Sequence, residues 1–383
     1  MKKNGIIFLF ILLTGIVSQQ KILAQDSSKL RVSLLTCTPG EELYSIFGHS
    51  AIRITDSINQ TDYVFNYGTF DFNDEAFYLK FIKGKLLYYV SIEYFDDFLY
   101  NYQQMGRGIT EQVLNLSPEE KISITKALFE NAKEENRYYK YDFFLDNCTT
   151  RLRDIIAKNK IPHPKFPAAM SVNTRFREAI HVYLDKGGQQ WSKLGIDILL
   201  GLPTDKIMTV YEQQFLPNNL MAALDKNSNV KMVSLKDNLY IADNKKETSF
   251  YLSPFIFFSA LFIFISILSF SNNVRIENGL KIFDGMLFFS TGLLGIILVL
   301  MWTATDHTMT KNNFNLLWAL PSHILVAFSL KSKSLLQKRY LLFTLLLSSL
   351  LLISWAFLPQ SLNNALIPVV LIIIVRSFKR YFE

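Results

Sequence analysis

The sequence predicts an exported α+β domain followed by an all-α bundle of about five membrane-spanning helices. Two observations point to this plan: strand patterns precede helix patterns in the first part, and long apolar runs begin near residue 250. The 383 residues are 50% hydrophobic with a mean hydropathy of +0.17, too apolar for a soluble enzyme and too polar for a membrane bundle alone. We therefore predict three parts in series: a signal peptide (1–24), an exported domain (25–248) and a membrane domain (249–383).

Residues 1–24 are typical of a secretory signal. Lys2 and Lys3 precede an apolar run over residues 5–17, and a polar stretch then leads to Ala24. The apolar run is short for a bilayer span, so an uncleaved amino-terminal anchor is the weaker alternative. We expect export of the following domain and cleavage near Ala24.

Five apolar runs reach membrane length in the last third of the chain. They cover residues 251–270, 285–302, 314–330, 340–358 and 362–378. If the exported domain lies outside, the connecting loops alternate, and Lys and Arg should collect in the inside loops. The inside loops and tail hold Arg275, Lys281, Lys331, Lys333, Lys338, Arg339, Arg376, Lys379 and Arg380, against only Lys311 outside. The net charge of +7 is therefore mostly a topology signal, and no basic run suggests nucleic-acid binding.

The exported part is long enough, at about 220 residues, for one domain with a real core. Strand patterns occupy residues 31–36, 51–55, 63–67 and 86–92, and helix patterns follow. Ser117 caps a predicted helix over residues 118–137. Asn147 or Asp146 caps the next one, which makes Cys148 a first-turn residue.

Cys148 is the first candidate for chemistry. Unpaired N–H groups at a helix start stabilise a thiolate and can also receive the oxyanion of an attacked carbonyl. Arg151 and Arg153 would add to the stabilisation of the thiolate, whereas Asp146 would oppose it. The thiol still needs a general base.

His49 is the best placed base of the exported domain. It follows Gly48 and comes directly before a strand, and a base at a strand start facing a cysteine at a helix start is the arrangement of papain-like enzymes. Asn66, in the next strand, is the candidate that orients the imidazole. Both residues have simpler readings, because a histidine before a strand and an asparagine before Tyr67 and Gly68 are also common in turns.

The second cysteine offers a structural alternative for Cys148. An exported chain meets an oxidising compartment, where a disulfide between Cys37 and Cys148 would use both cysteines. Cys37 lies in the same segment as His49, so the two thiols could be neighbours, and a reversible disulfide would inactivate a thiol enzyme.

The histidine-first order is reversed relative to papain and resembles the circularly permuted NlpC/P60 superfamily with its lecithin:retinol acyltransferase-like members. More closely, the sequence resembles the bacterial lipoprotein N-acyltransferase family that has an amino-terminal periplasmic thiol domain. The resemblance covers most of the chain. It is carried by LLTCTPGEELYSIFGHSAIRI, DYVFNYGTFDF, YDFFLDNCTTRLRD, LGLPTDK, EQQFLPNNL and the multi-span tail.

The resemblance implies a permuted papain-like fold and a two-step transfer at the periplasmic face of the inner membrane. Cys148, deprotonated by His49 that Asn66 orients, would take an acyl chain from a phospholipid and pass it to the α-amine of a lipoprotein. No cofactor or metal is expected, since the His and Cys residues do not cluster at ligand spacing. Four further residues are candidates for substrate binding: Tyr44, Arg151, His307 and Asn315.

Two rival functions remain open at this stage. A cysteine peptidase or amidase that trims cell-wall peptides would use the same thiol, although about five spans are more than tethering requires. A non-catalytic membrane scaffold would hold its two cysteines in a disulfide. The state of the two thiols and the surroundings of Cys148 distinguish these functions.

Overall fold

The computed structural model describes residues 29–71, 73–226, 229–242, 253–329 and 334–382. The expected signal peptide, its cleavage point and the junction between the two domains lie outside the described residues. The amino-terminal domain is built on one antiparallel sheet with the order β6-β4-β3-β2-β1-β5-β7. Its strands are β1 (Leu30–Cys37), β2 (His49–Asp56), β3 (Thr61–Thr69), β4 (Leu87–Tyr94), β5 (Ile109–Leu114), β6 (Tyr138–Lys140) and β7 (Val233–Tyr240).

Among the described residues, seven α-helices accompany the sheet, and most of them follow the first strands as the sequence predicts. They are α1 (Phe77–Ile82), α2 (Phe95–Gln104), α3 (Pro118–Asn131), α4 (Cys148–Asn159), α5 (Phe176–Lys186), α6 (Gln190–Leu199) and α7 (Pro217–Lys226). Helix α3 has the expected cap at Ser117 but ends six residues before Arg137. The Asn136 side chain donates 3.0 Å to the Glu130 carbonyl, which satisfies an end carbonyl that a longer helix would have used.

Apolar side chains cover both faces of the sheet. One face packs on α3, α4 and α7 through a core that includes Phe65, Leu152 and Leu224. The other face packs on α2 through a smaller core that includes Phe98 and Cys37. Helix α4 therefore lies directly against β2, which brings its amino terminus to the end of the sheet where β2 begins.

The described residues of the carboxyl-terminal part form five α-helices: α8 (Pro254–Ser269), α9 (Val274–Thr303), α10 (His323–Ser329), α11 (Leu335–Ser354) and α12 (Ile367–Phe382). Of the described helices, two are long and apolar enough to cross a membrane, over Val274–Thr303 and Leu335–Phe357, while α8 is apolar but shorter. The continuous helix expected over residues 314–330 does not form. A 3-10 turn at Phe314–Leu317 is separated from α10 by Pro321, whose ring disfavours helical backbone in the residue before it.

A buried polar network joins the two parts of the molecule. The Arg177 guanidinium on α5 donates to Asp197 at 2.9 Å and to Asp205 at 3.0 Å, and both carboxylates are about 1% exposed. From the carboxyl-terminal part, the Asn363 amide donates 2.8 Å to Asp197 and the Ser361 N–H donates 3.2 Å to Asp205. Buried charges need such partners, so this network fixes how α5 and α6 sit on the membrane helices.

Candidate active site

Cys148 is the first residue of α4, as the sequence predicts, and Asn147 is its cap. The Asn147 side-chain oxygen accepts 2.8 Å from the Thr150 N–H, and its amide donates to the carbonyls of Phe143 and Phe215 at 2.7 and 2.9 Å. Asn147 is 3% exposed and Cys148 8%. The helix start is therefore held rigidly, with its free N–H groups beside the sulfur.

His49 is the first residue of β2, and a tight turn aims it at the helix start. Gly48 has a φ of +80°, and a Cβ there would lie 2.8 Å from the Cys37 carbonyl oxygen, so only glycine fits. The Nε2 atom of His49 lies 2.5 Å from the Asn66 amide oxygen on β3. Because an amide oxygen only accepts, Nε2 donates, which leaves Nδ1 for the hydrogen bond between His49 and Cys148.

The surroundings of the pair favour an activated thiol. Burial raises the pKa of Cys148, but the charge and hydrogen bond of His49, together with the Ser50 backbone N–H, lower it to about 7. Burial lowers the pKa of His49, but Cys148 and Asn66 outweigh it, so the net shift is upward. A large share of Cys148 is therefore thiolate near neutral pH, with a protonated imidazole beside it.

Two groups near this pair, Glu93 and Tyr102, were missed by sequence reasoning, whereas Cys37 was expected close to it. Glu93 on β4 accepts 3.2 Å from the Asn66 amide nitrogen, which orients the amide so that its oxygen faces His49. Cys37 lies directly opposite His49 across β1 and β2, and the Tyr102 hydroxyl is its hydrogen-bond partner. Strand register places Glu93 here, and no local sequence signal reveals it.

Cys37 and Cys148 both carry free thiols in this structure, so the disulfide alternative is not formed. Burial raises the pKa of Cys37 to about 12, despite the Tyr102 hydrogen bond. Cys37 is completely buried and stays a neutral thiol. Of the two cysteines, only Cys148 has the environment of a nucleophile.

The carboxylate of Asp146, which could oppose thiolate formation, is neutralised by Arg151. The guanidinium donates to the two carboxylate oxygens at 2.7 and 2.8 Å and stacks over the Tyr139 ring at 3.5 Å. Asp146 and Arg151 therefore form an ion pair beside the helix start, and the Asp146 charge is balanced. Arg151 is not among the residues that line the cavity at Cys148.

A cavity of about 870 Å³ opens at the thiol. Cys148, His49 and Asn66 lie in its wall, and residues 306–310 from the carboxyl-terminal part close it on another side. The rest of the lining is mostly apolar and includes Phe47, Phe70, Phe81, Tyr88, Tyr141, Phe143, Phe144, Ile180, Ile196, Leu200, Phe215 and Met309. Such a lining suits a long apolar substrate whose reactive carbonyl lies at Cys148.

Of the four predicted substrate-binding residues, two line the cavity and two do not. Tyr44 and His307 line the cavity, and Tyr44 is 75% exposed. Asn315 lies away from it, fully buried, where its amide donates 3.2 Å to the Asp197 carbonyl. Across the described ranges, no group of three or more His, Cys, Asp or Glu side chains is arranged to hold a metal ion.

Two family models match the chain. The Lnb N-terminal periplasmic domain matches residues 19–178, which contain Cys148, His49 and Asn66. The Lnb transmembrane domain matches residues 245–383. A search of the curated proteins found no match, and neither did a search of the solved structures.

Proposed function

Because the chain belongs to the Lnb family of bacterial lipoprotein N-acyltransferases, with a periplasmic amino-terminal part and a membrane carboxyl-terminal part, we propose that it is a cysteine acyltransferase. It moves a fatty acyl chain from a phospholipid, through a thioester on Cys148, to the amino-terminal amine of diacylglyceryl-cysteine lipoproteins. The reaction takes place on the periplasmic side of the inner membrane.

The observation that carries the proposal is the surroundings of the thiol. The hydrogen-bonded pair of Cys148 and His49 lies in an apolar cavity, and residues 306–310 of the membrane part form one of its walls. A phospholipid and a lipoprotein are both held in the bilayer, so a thiol fixed to membrane helices meets them at a high effective concentration.

In the first step the Cys148 thiolate attacks an ester carbonyl of the phospholipid. The oxyanion forms beside the N–H groups at the start of α4. A C–S bond forms, the ester C–O bond breaks, and the His49 imidazolium gives its proton to the departing alkoxide. The products are acyl-Cys148 and a lysophospholipid.

In the second step the lipoprotein α-amine attacks the thioester. An amide C–N bond forms and the C–S bond breaks, while His49 takes the proton that the amine loses. Asn66 holds the imidazole ring in place through both steps, and Glu93 holds Asn66.

A transfer assay with the purified full chain in phospholipid vesicles tests the proposal. With a synthetic diacylglyceryl-cysteine peptide as acceptor, we expect an N-acyl peptide by mass spectrometry, and none with Cys148→Ser. Cys37→Ser serves as the matched control and should retain transfer. Unmodified acceptor with the wild-type protein would contradict the proposal.

The rival cell-wall amidase uses the same thiol on a different carbonyl. The apolar lining of the cavity favours an acyl chain over a charged peptide. Incubation of the same preparation with wall peptide fragments should release no amine, and efficient cleavage would favour the rival. The disulfide-bonded scaffold requires a bond between Cys37 and Cys148, which are both free in this structure.

A further inference from the structure

Helix α1 is a short apolar helix that buries none of its residues in the protein. Tyr78, Leu79, Phe81 and Ile82 are between 52% and 78% exposed. So many neighbouring large apolar side chains on one surface helix indicate a partner or a membrane. Exposed lysines at positions 80, 83 and 85 flank them, a composition typical of segments that lie in the headgroup region of a bilayer.

Helix α1 is fastened to the loop between two membrane segments. The Asp306 N–H donates 2.9 Å to the Lys83 carbonyl, and the His307 Nε2 atom lies 3.1 Å from the Ile82 carbonyl oxygen. Gly84 has a φ of +67°, and a Cβ there would lie 3.2 Å from the His307 nitrogen. The contact is thus a close backbone approach that fixes the height of α1 relative to the membrane part.

The position of α1 relative to the membrane follows from the residue at which α9 ends. That helix is one of the two that can cross a membrane, and it ends at Thr303, next to Trp302, a residue type enriched at the lipid–water boundary. Asp306 is three residues farther, at most about 10 Å along the chain. The carboxyl-terminal end of α1, where Lys83 bonds Asp306, therefore lies close to the membrane surface.

A series of aromatic contacts leads from α1 to the thiol. Phe77 contacts Phe70 at 5.8 Å between ring centroids, Phe70 contacts Tyr88 at 5.2 Å, and Tyr88 stacks on Tyr141 at 4.4 Å. Phe70, Tyr88 and Tyr141 also line the cavity that holds Cys148. The apolar surface is therefore continuous from the exposed helix to the reactive sulfur.

We propose that α1 dips into the periplasm-facing leaflet of the membrane and that a phospholipid acyl chain passes from there along the aromatic path to Cys148. The occupant of the exposed face is the bilayer itself, argued from the attachment of α1 to residues 306 and 307 beside the end of α9. The membrane contact stands on this geometry alone, whereas delivery to Cys148 rests on the proposed function.

Photo-crosslinking tests the membrane contact. The full chain carrying Tyr78→p-benzoylphenylalanine, in vesicles of phosphatidylethanolamine and phosphatidylglycerol, should give a phospholipid adduct by mass spectrometry. Ile58→p-benzoylphenylalanine is the matched control, because Ile58 is 66% exposed in the turn between β2 and β3. We expect about tenfold less adduct at position 58. Equal adducts at both positions, no lipid adduct at position 78, or a protein adduct there overturns the membrane contact.

Charge substitution tests the delivery of the acyl chain. The double variant Tyr78→Asp and Leu79→Asp places two carboxylates in the headgroup region and should slow acylation of Cys148 by phospholipid about tenfold. Its alkylation of Cys148 by water-soluble iodoacetamide should stay at the wild-type rate, since α1 buries none of its residues. Tyr78→Trp with Leu79→Phe should retain acylation, and Ile58→Asp is the distant control.

The outcomes separate the two proposals. Acylation of the charged variant at the wild-type rate overturns the path from α1, even if the lipid adduct at Tyr78 is present. A slowed alkylation of Cys148 in that variant also overturns it, because the change would then reach the thiol itself. No acylation of wild-type Cys148 by phospholipid overturns the proposed function, and the photo-crosslinking result still decides the membrane contact.

Discussion

At the scale of single residues, two buried thiols of the same fold have opposite properties. Cys37 faces the apolar core around α2, and burial raises its pKa to about 12, whereas His49 and the Ser50 N–H bring the pKa of Cys148 to about 7. The difference arises from His49 and the start of α4, because both cysteines are buried. The free energy that stabilises the thiolate is therefore local to His49 and the first turn of α4.

The first prediction concerns the pH dependence of alkylation. A thiolate forms above the pKa of its thiol, so the rate of Cys148 alkylation by iodoacetamide should rise with pH and reach half its plateau near pH 7. In His49→Ala the largest contribution that opposes burial is lost, so the midpoint should move to about 8.5 or above, with at least about tenfold less rate at pH 7.

Peptide mass spectrometry follows the modification at Cys148 and excludes any reaction at Cys37. His163→Ala is the matched control, because His163 is exposed and its ring lies against the Ala157 carbonyl. A midpoint that stays near pH 7 in His49→Ala would show that another group activates the thiol.

At this scale, the sequence predicts the positions of those site residues that have a signal in their immediate neighbours. Cys148 follows a capping asparagine and His49 follows a turn glycine, and both patterns are visible in a few neighbouring residues. Glu93 could not be predicted in its place, because its position depends on which strand pairs with which and in what register, whereas Cys37 was expected near the site because it shares a segment with His49. The ion pair of Asp146 with Arg151 could not be predicted either, since the two residues are five positions apart and lie on either side of a helix start.

At the scale of elements, α4 is positioned by its cap. Asn147 accepts from Thr150 and donates to Phe143 and Phe215, so it ties the helix start to the segment before α7. All of its hydrogen-bonding groups are used in a buried place, which makes the position intolerant to residues that lack either function.

The second prediction changes that cap. In Asn147→Asp the carboxylate still accepts from Thr150 but loses two donors and adds a negative charge beside Cys148. The pKa of Cys148 should rise by about one unit, seen as a shifted alkylation midpoint. Asn147→Ser also loses the two amide donors but adds no charge, so it isolates the effect of the charge and should leave the midpoint in place.

A matched control makes the same kind of change at another helix. Ser117→Asp alters the cap of α3, far from the thiol in the fold, and should not move the midpoint. If Asn147→Asp leaves the alkylation midpoint near pH 7, the charge at the cap does not act on Cys148, and the account of the helix start is wrong.

At the level of single elements, the sequence predicts the strands in which apolar and polar residues alternate and misses the strands without this alternation. β1 to β4 lie within a few residues of the predicted segments. β5 carries the buried polar residues Glu111 and Gln112, and β7 is an edge strand of mostly exposed residues, so neither shows an apolar period. The break near Pro321 was missed because hydropathy averages over a window and does not register backbone geometry.

At the scale of the whole molecule, the buried network of Arg177, Asp197 and Asp205 couples the two parts. Asn363 and Ser361 complete it from the membrane side, so the cavity wall formed by residues 306–310 keeps a fixed position relative to Cys148. The sequence does not predict this network, because its polar residues are far apart along the chain. They come into contact only when the two parts pack together.

The third prediction breaks this network. Asp197→Ala leaves the Arg177 guanidinium with one carboxylate fewer in a buried place and should lower the free energy of unfolding by about 3–5 kcal/mol. Glu130→Gln is the control, because its pair with Lys133 is half exposed and screened by water, so its loss should be small beside that of Asp197→Ala. Denaturant unfolding of the full chain in the same detergent compares them. Equal losses would mean that the network does not hold the two parts together.

The measurement that tests the central claim most directly is the mass of the Cys148 peptide after the full chain has been exposed to phospholipid vesicles without an acceptor. We predict an added acyl mass on Cys148 that hydroxylamine removes, together with an equal amount of lysophospholipid. His49→Ala should strongly reduce both products. An unmodified Cys148 peptide, or an acyl mass that hydroxylamine does not release, would contradict a thioester intermediate on this residue.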